Sequence, residues 1–309
     1  MLIVSYDSCG LRTKPFGELG AAAGGCCHPG SLPPSTVVIG TFDGVHLGHL
    51  ALLRFARRKA DELGTTTTVI TFDRHPRAVV AAASRPPMLM TVEQKLEALA
   101  ASKLVDNVLL MTFDRERSRQ DPRQFVAEVI VRCARARRVV VGEDFRFGVA
   151  RSGDIATLRL MGADLGFSVV VCPPVSAGPA HRYSSTLVRR LVAAGDLAGA
   201  ERLLGRPFEV ACEVVPPERR TTGSRRLFSL RARPYQCLPR SGTYVGELCD
   251  AVSGRSLSAC RVRVLPAGRY RRVGLSVACE QPVSLLGDSA RFRFCSAASP
   301  AVRADRFSA

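Results

Sequence analysis

Two histidines with a glycine between them stand where an apolar run gives way to a predicted helix. The segment GTFDGVHLGH (residues 40–49) spaces His46 and His49 three apart, so both would lie on one face of the first helical turn. A helix N-terminus carries unpaired N–H groups and a partial positive charge, which makes it an anion site. Two imidazoles there form a poor metal site without a carboxylate partner, but a good cradle for phosphate.

The glycines of this segment suggest close approach and a tight turn. Gly40 and Gly44 would permit the turn out of the strand, and Gly48 would remove a side chain where a ligand nears the backbone. The alternative is a loop with two incidental histidines. Three of the chain's five histidines, His46, His49 and His75, fall on the same predicted rim, which favours the functional interpretation.

The elements that must position these residues alternate between strands and helices. The patterns predict strands at 37–41, 65–72, 106–113, 137–142 and 167–171, and helices at 47–63, 93–100, 122–134, from about 152, and at 185–194. Asp121 is the expected cap of the helix that opens with Pro122. Such alternation predicts an α/β fold with a parallel sheet covered on both faces. The opening run LIVSY (residues 2–6) is predicted as an edge strand.

Each unusual polar segment follows one of these strands. They are GTFDGVHLGH, TFDRHPR, VGEDFRFG and the loop that leads to YSST. Parallel sheets bind ligands outside the carboxyl ends of their strands. The sequence therefore predicts four polar loops along one rim.

After residue 208 the helical period is lost. Short β-rich runs with turn signals predict a small β domain over 209–309, with a loose tail at 297–309. The residues before it, 1–208, are predicted to form a first domain.

Composition limits the class of protein. Apolar residues make up 46% and charged residues 23%, as in folded globular proteins. No apolar stretch is long enough to span a bilayer and no signal peptide is recognisable, so we expect a cytoplasmic protein without a membrane partner. The eleven cysteines contain no CxxC and are expected to be reduced, mostly buried thiols. Cys26, Cys27 and His28 are the one place where a metal could be argued, and none is expected there.

The formal net charge of +17 is almost entirely due to arginine. A basic surface attracts nucleic acid, but phosphorylated small molecules suit arginine equally well. The charge is spread along the chain without aromatic interleaving, so nucleic acid is not the expected partner. Compositional drift towards arginine stays open.

The motifs together resemble a known family. HLGH followed at a distance by SSTLVR is similar to the HxGH nucleotidylyltransferase superfamily. Within it, GTFDGVHLGH, TFDRHPR, VGEDFRFG and YSSTLVRRLVAAGDLAGAERLLGRPF resemble the FMN adenylyltransferase module of bacterial bifunctional riboflavin kinase/FAD synthetases, in the right order over residues 36–208. Other members of the superfamily typically carry FDPxHxGH. The resemblance implies a Rossmann-like nucleotidylyltransferase domain followed by a small β-barrel-like domain.

The resemblance also implies a reaction. The phosphate of FMN would attack the α-phosphorus of ATP and give FAD and pyrophosphate. This nucleophile is already ionised at neutral pH, so catalysis reduces to alignment and charge neutralisation. Mg²⁺ would bridge the phosphates through waters and nucleotide oxygens, without a protein ligand.

The same resemblance assigns residues to roles. His46, His49 and Arg189 would be catalytic, with Arg189 clamping the departing pyrophosphate. ATP would contact Gly40, Thr41, Phe42, Asp43, Gly44, His46, Gly48, His49, Ser184, Ser185, Thr186 and Arg189. FMN would contact Phe72, Asp73, His75, Pro76, Asp144, Phe145 and Phe147.

Two points about the flavin segments stay open. The phenylalanines at 72, 145 and 147 could be walls for the isoalloxazine ring or parts of the core. Arg74 replaces the proline of the usual TFDPHP, which loosens the turn and leaves its geometry open.

The expected kinase half departs from the family pattern. The segment at 227–249 keeps LPRSGTYVGEL, which resembles LPxxGVY, but it lacks the PTAN element that holds nucleotide and metal, and no equivalent of ETHLLDF follows. We therefore expect riboflavin kinase activity to be lost. The alternatives are a bifunctional riboflavin kinase/FAD synthetase, a nucleotidylyltransferase for another phosphorylated acceptor, and a non-catalytic nucleic-acid binder.

Overall fold

A mostly parallel sheet organises the first part of the chain. The computed structural model describes residues 1–7, 10–16, 26–27, 32–176, 182–215, 221–222, 225–265, 274–279 and 289–295. The strands of this sheet are β1 (Leu2–Asp7), β2 (Gly10–Pro15), β3 (Cys26–Cys27), β4 (Ser35–Ile39), β5 (Thr66–Phe72), β6 (Asn107–Met111), β7 (Ala136–Gly142) and β8 (Ser168–Cys172). Their spatial order is β3-β2-β1-β6-β5-β4-β7-β8, and β1, β4, β5, β6, β7 and β8 are parallel. The predicted α/β fold with a parallel sheet is thus confirmed.

The chain reverses its direction of growth at β4. After β4 it adds β5 and then β6 on one side, and then returns to place β7 on the other side. This is the topological switch point of a Rossmann-like sheet, where a crevice opens outside the strand ends. All five residues of β4 are buried, as expected of a strand covered on both faces.

The opening strand lies inside the sheet. We expected LIVSY to be an edge strand, but β1 pairs in parallel with β6 and antiparallel with β2. The prediction was wrong because β2, with the sequence GLRTKP, lacks the β-branched alternation that signals a strand.

Helices cover this sheet at the predicted places, with two local differences. They are α1 (Leu47–Asp61), α2 (Arg77–Val80), α3 (Val92–Ala101), α4 (Arg115–Ser118), α5 (Pro122–Phe125) and α6 (Ile155–Leu165). Asp121 caps α5 as expected, accepting hydrogen bonds from the N–H groups of Arg123 at 2.7 Å and Gln124 at 3.3 Å. The predicted helix then continues as a π-helix over Val126–Cys133. The helix expected from about 152 begins at Ile155, because a separate 3-10 turn occupies Val149–Arg151.

The remaining elements are helix α7 (Ser185–Ala194), helix α8 (Leu197–Leu204), and strands β9 (Glu209–Val215), β10 (Thr221–Thr222), β11 (Arg225–Ala232), β12 (Gly242–Asp250), β13 (Ser256–Val264), β14 (Gly274–Cys279) and β15 (Ser289–Phe294). These strands are antiparallel in the order β10-β11-β14-β13-β12-β15-β9, and β9 also pairs with β11. This second pairing closes the sheet on itself, so the predicted barrel-like domain is confirmed.

The chain divides into two compact units. The first comprises Met1–Pro86 and Val92–Tyr183, and the second comprises Pro87–Thr91 and Ser184–Ala309. The division falls between Tyr183 and Ser184, and the domain boundary at residue 208 stays a prediction.

Other sequence expectations concern membranes and cysteines. Within the described ranges, no helix is long and apolar enough to cross a membrane. Free, buried thiols occur at Cys133, Cys172, Cys212, Cys237, Cys249, Cys260 and Cys295. The metal alternative at Cys26, Cys27 and His28 concerns side chains outside the described part of the chain.

Candidate functional site

The polar loops follow neighbouring strands, as the sequence predicts. β5, β4, β7 and β8 stand side by side and parallel, so their carboxyl ends share one edge. GTFDGVHLGH follows β4, TFDRHPR spans the end of β5, and VGEDFRFG spans the end of β7. The switch point between β4 and β7 therefore lies between the first and the third of these segments.

The two histidines stack at the N-terminus of α1. His46 is the N-cap residue, and its Nδ1 accepts a hydrogen bond from the backbone N–H of His49 at 3.3 Å. The two imidazole centroids are 3.7 Å apart with 14° between the ring planes. Because Nδ1 of His46 accepts, a neutral imidazole carries its proton on Nε2, which suits donation to an anion. The ring of Phe42 packs against His49 at 5.0 Å.

The backbone before α1 is strained. Phe42 and Val45 adopt the left-handed region with φ of 49° and 37°, alongside Gly44 at 86°. A non-glycine residue in such a conformation costs about 1–3 kcal/mol and persists only where the surroundings enforce it. The surroundings do so here, because the side chains of Phe42 and Val45 are fully buried. Gly44 thus has the turn role expected of it, and its neighbours share the strain.

Gly48 is required for a reason that the sequence did not suggest. A Cβ added there would lie 2.5 Å from Cβ of Tyr183 and 3.2 Å from the His46 ring. The missing side chain therefore makes room for two protein side chains. Gly40 similarly accommodates the Phe42 ring, which lies 3.1 Å from where its Cβ would be.

Sequence reasoning missed a buried lysine on α3. Lys95 is 2% exposed, and its Nζ donates to the carbonyl of Phe72 at 2.8 Å and to Oγ1 of Thr71 at 3.3 Å. Burial lowers the pKa of Lys95 to about 8, although the carboxylates of Asp43 and Asp73 act to raise it. The available signal was its place four residues before the buried Leu99, on the apolar face of the predicted helix.

The segment after β5 forms a closed turn despite Arg74. Oδ1 of Asp73 accepts from the backbone N–H of Phe113 at 3.0 Å, and Nη2 of Arg74 lies 3.1 Å from Oδ2 of Asp73. Nδ1 of His75 accepts from the backbone N–H of Arg77 at 3.1 Å, and Pro76 is the N-cap residue of α2. Side-chain hydrogen bonds therefore organise this turn.

The three phenylalanines assigned to the flavin differ in burial. Phe147 is 7% exposed and packs against Phe125 and Phe145, with ring centroids at 6.1 and 5.5 Å. This burial favours the core alternative for Phe147. Phe72 and Phe145 are partly exposed, and Phe72 packs edge-on against Phe113 at 5.3 Å.

Asp144 is exposed at the end of β7. Its Oδ2 accepts from Nη1 of Arg182 at 3.0 Å, and Nη2 of Arg182 lies 3.6 Å from Oε2 of Glu143. Arg182 thus bridges two carboxylates next to the switch point.

The segment 184–189, which is expected to contact ATP, begins helix α7 in the second unit. Ser184 is its N-cap, with Oγ accepting from the N–H of Leu187 at 3.1 Å, and Ser185 and Thr186 form its first turn. Nε of Arg189 donates to the carbonyl of Pro87 at 2.7 Å, which fixes the plane of the guanidinium group. The first unit thus brings His46 and His49 together, and the second positions Ser184 to Arg189.

Comparisons with known proteins give a family match and several relatives. The family model described as FAD synthetase matches residues 29–187. A bifunctional riboflavin kinase/FMN adenylyltransferase from Haemophilus influenzae is 36% identical over 179 residues, which are 58% of this chain and 58% of that protein. A protein of the same description from Pseudomonas fluorescens is 38% identical over 57% of this chain and 56% of its own length. A putative one from Geobacillus thermodenitrificans is 36% identical over 58% of this chain and 93% of its own length.

The match thus spans little more than half the length of the first two relatives. Among solved structures, that of a protein described as a macrolide-efflux protein from Streptococcus pneumoniae has a TM-score of 0.68 over 86% of this chain and 85% of that one. Its sequence identity is 22%, so this likeness shows the fold alone.

Proposed function

Because the chain belongs to the FAD synthetase family, we propose that it is an FMN adenylyltransferase that makes FAD from FMN and ATP. A phosphate oxygen of FMN forms a new bond to the α-phosphorus of ATP, and the bond to the departing pyrophosphate breaks. The observation that carries this proposal is the stacked pair of His46 and His49 at the N-terminus of α1, where β4 meets the switch point. No general base is needed, since the attacking phosphate is ionised at neutral pH.

Electrostatics would provide most of the rate enhancement. The backbone N–H groups at the start of α1 and the imidazoles of His46 and His49 would hold the ATP phosphates. Arg189 would neutralise the pyrophosphate as it leaves, with its guanidinium plane set by the bond to Pro87. Mg²⁺ would neutralise charge on the nucleotide, held by phosphate oxygens and water because imidazole and amide N–H groups are poor partners for this ion.

The flavin would occupy the rim after β5 and β7. The partly exposed rings of Phe72 and Phe145 suit an aromatic ligand. The buried ring of Phe147 would instead support Phe145 from the core. Asp73, His75, Pro76 and Asp144 would complete this region, which the resemblance assigns to FMN.

An assay of FAD formation from FMN, ATP and Mg²⁺ tests this function. His49→Ala and Arg189→Ala should each lower kcat/KM by about a hundredfold or more, because each removes a donor to transferring phosphates. Arg190→Ala is the matched control, since Arg190 is an exposed neighbour on the same helix, and it should retain activity. An inert wild type would refute the proposal. Salt-sensitive binding of nucleic acid would then favour the binder, and adenylylation of a different phosphorylated compound would favour another acceptor.

We also propose that the barrel no longer phosphorylates riboflavin. The curated relatives are described as bifunctional, but residues 227–249 of this chain lack a PTAN element to hold nucleotide and metal. Riboflavin, ATP and Mg²⁺ should give no FMN under conditions in which FMN and ATP give FAD. Formation of FMN at a comparable rate would show that the kinase persists.

A further inference from the structure

A buried lysine joins the two segments that the proposed function assigns to ATP and FMN. Nζ of Lys95 donates to the carbonyl of Phe72 at 2.8 Å and to Oγ1 of Thr71 at 3.3 Å, both at the end of β5. Oγ1 of Thr71 in turn donates to the carbonyl of Thr41 at 3.2 Å. A continuous set of hydrogen bonds therefore runs from α3 through β5 to the segment 40–49.

Charges reinforce this connection. Asp43, from the turn before α1, is fully buried, and Asp73 follows β5; both carboxylates interact favourably with the Lys95 ammonium. Asp73 also pairs with Arg74, with Nη2 and Oδ2 3.1 Å apart. The buried ammonium thus attracts one carboxylate from each segment.

We propose that the charged side chain of Lys95 is a positioning residue for adenylyl transfer, which holds segment 40–49 and the segment after β5 in register so that two phosphate substrates meet in line. This inference rests on the proposed function. Lys95 is too buried to touch either substrate, so it acts through Thr41, Asp43 and the end of β5. Small errors in such alignment are costly, because reaction in line depends on the reacting atoms being held within contact distance.

Loss of the lysine proton should weaken this connection at moderately alkaline pH. A neutral amine can still donate hydrogen bonds, but it no longer attracts Asp43 and Asp73. The turn that contains Asp43 also holds the strained residues Phe42 and Val45, which relax when their surroundings loosen. Because burial lowers the pKa of Lys95 to about 8, the rate should fall as the pH rises past that value. Substrate phosphates, with a second pKa of about 6, are fully ionised well before this point.

The test is the pH profile of kcat/KM for FAD formation by the wild type, Lys95→Met and Lys103→Met. Lys103 is an exposed lysine just after the same helix, so it is a matched control. For the wild type and Lys103→Met, kcat/KM should fall about tenfold per pH unit above pH 8, as expected when activity requires one proton. Lys95→Met should be slower at pH 7 and lack this decline. A wild type without the decline, or a Lys95→Met variant that keeps it, would overturn the inference.

A second measurement separates positioning from loss of the fold. As Lys95 becomes neutral, the penalty for burying its charge disappears, so the wild type should become no less stable across the pH range in which it loses activity. Unfolding of the wild type in step with the loss of activity would contradict the inference. Thr71→Val keeps the charge and removes the linking hydroxyl, so it should be slower while retaining the alkaline decline, and it replaces Lys95→Met if that variant does not fold. A Thr71→Val variant with full activity would show that the link is dispensable.

Failure of the proposed function can be told apart from failure of this inference. If the wild type forms no FAD at any pH, the function has failed, and hydrogen exchange then tests the connection alone. After correction for the intrinsic pH dependence of exchange, amides of residues 41–46 should lose protection above pH 8 in the wild type and Lys103→Met. Unchanged protection in the wild type would refute the role of Lys95.

Discussion

The rim of the parallel sheet and the β-barrel accommodate charged side chains differently. At the rim, Lys95 is buried beneath a turn whose residues Phe42 and Val45 are held in left-handed conformations. In the barrel, Arg293 donates to Glu209 at 2.7 Å, to Glu247 at 3.0 Å and to the carbonyl of Gly254 at 3.1 Å. Arg293 of the barrel is therefore held by two carboxylates in one network. The turn at the rim instead keeps strained backbone conformations, which lower stability. Strain of this kind collects at functional sites, which agrees with placing the reaction at the rim.

Thiols in the barrel are also made inert. Burial raises the pKa of Cys212 and of Cys249 to about 12, so neither forms a thiolate at neutral pH. Such buried thiols contribute packing rather than reactivity.

Arg293→Met should produce the largest loss of stability and sharpen this comparison. It would leave Glu209 and Glu247 together without their cation, and the loss of hydrogen bonds to charged groups, each worth about 1.5–3 kcal/mol, should cost about 3 kcal/mol or more. Urea unfolding measures this cost, and kcat for FAD formation by the folded fraction should be unchanged. A lowered kcat would show that the barrel supports the reaction. Arg261→Met, an exposed arginine of the same barrel, is the control.

The stability of the wild type relative to Lys95→Met should rise by about 3 kcal/mol between pH 8 and pH 10.5. The native lysine gives up its proton near pH 8 and the unfolded one near 10.5. Between these values the unfolded state binds more protons, so raising the pH favours the native state. Denaturant unfolding of both proteins across this range measures the difference. A constant difference would show that Lys95 has an ordinary pKa and that the rim carries no such cost.

Gly48→Ala should lower both stability and activity. The added methyl group collides with Tyr183 and the His46 ring, and overpacking of this kind costs about 1–3 kcal/mol. Because the collision displaces His46, kcat/KM should fall even where the protein is fully folded. Gly64→Ala is the control. Its Cβ would meet nothing within 4 Å, but φ at Gly64 is +61°, so the substitution should lower stability without affecting catalysis. Full activity in Gly48→Ala would break the link between this packing and the reaction.

Much of the first unit was readable from sequence, since hydrophobic periodicity is local. The runs that became β4, β5, β7 and α7 were placed to within a few residues, and α7 matched its prediction of 185–194. The interior position of β1 was missed, because its antiparallel partner β2 has little strand signal of its own. The π-helix at Val126–Cys133 was also missed: its buried residues recur three and four apart, a spacing that fits an α-helix as well.

By itself the sequence determined the alternation of elements, the order of the polar segments and the histidine pair, because each depends on neighbours along the chain. Only the tertiary structure revealed that Gly48 makes room for Tyr183, that Phe147 belongs to the core and that Lys95 is buried against Thr71 and Phe72. Those contacts join residues far apart in the chain, and burial and electrostatic attraction decide them. GTFDGVHLGH thus indicated where we propose the chemistry lies, and the fold supplied the buried lysine close to it.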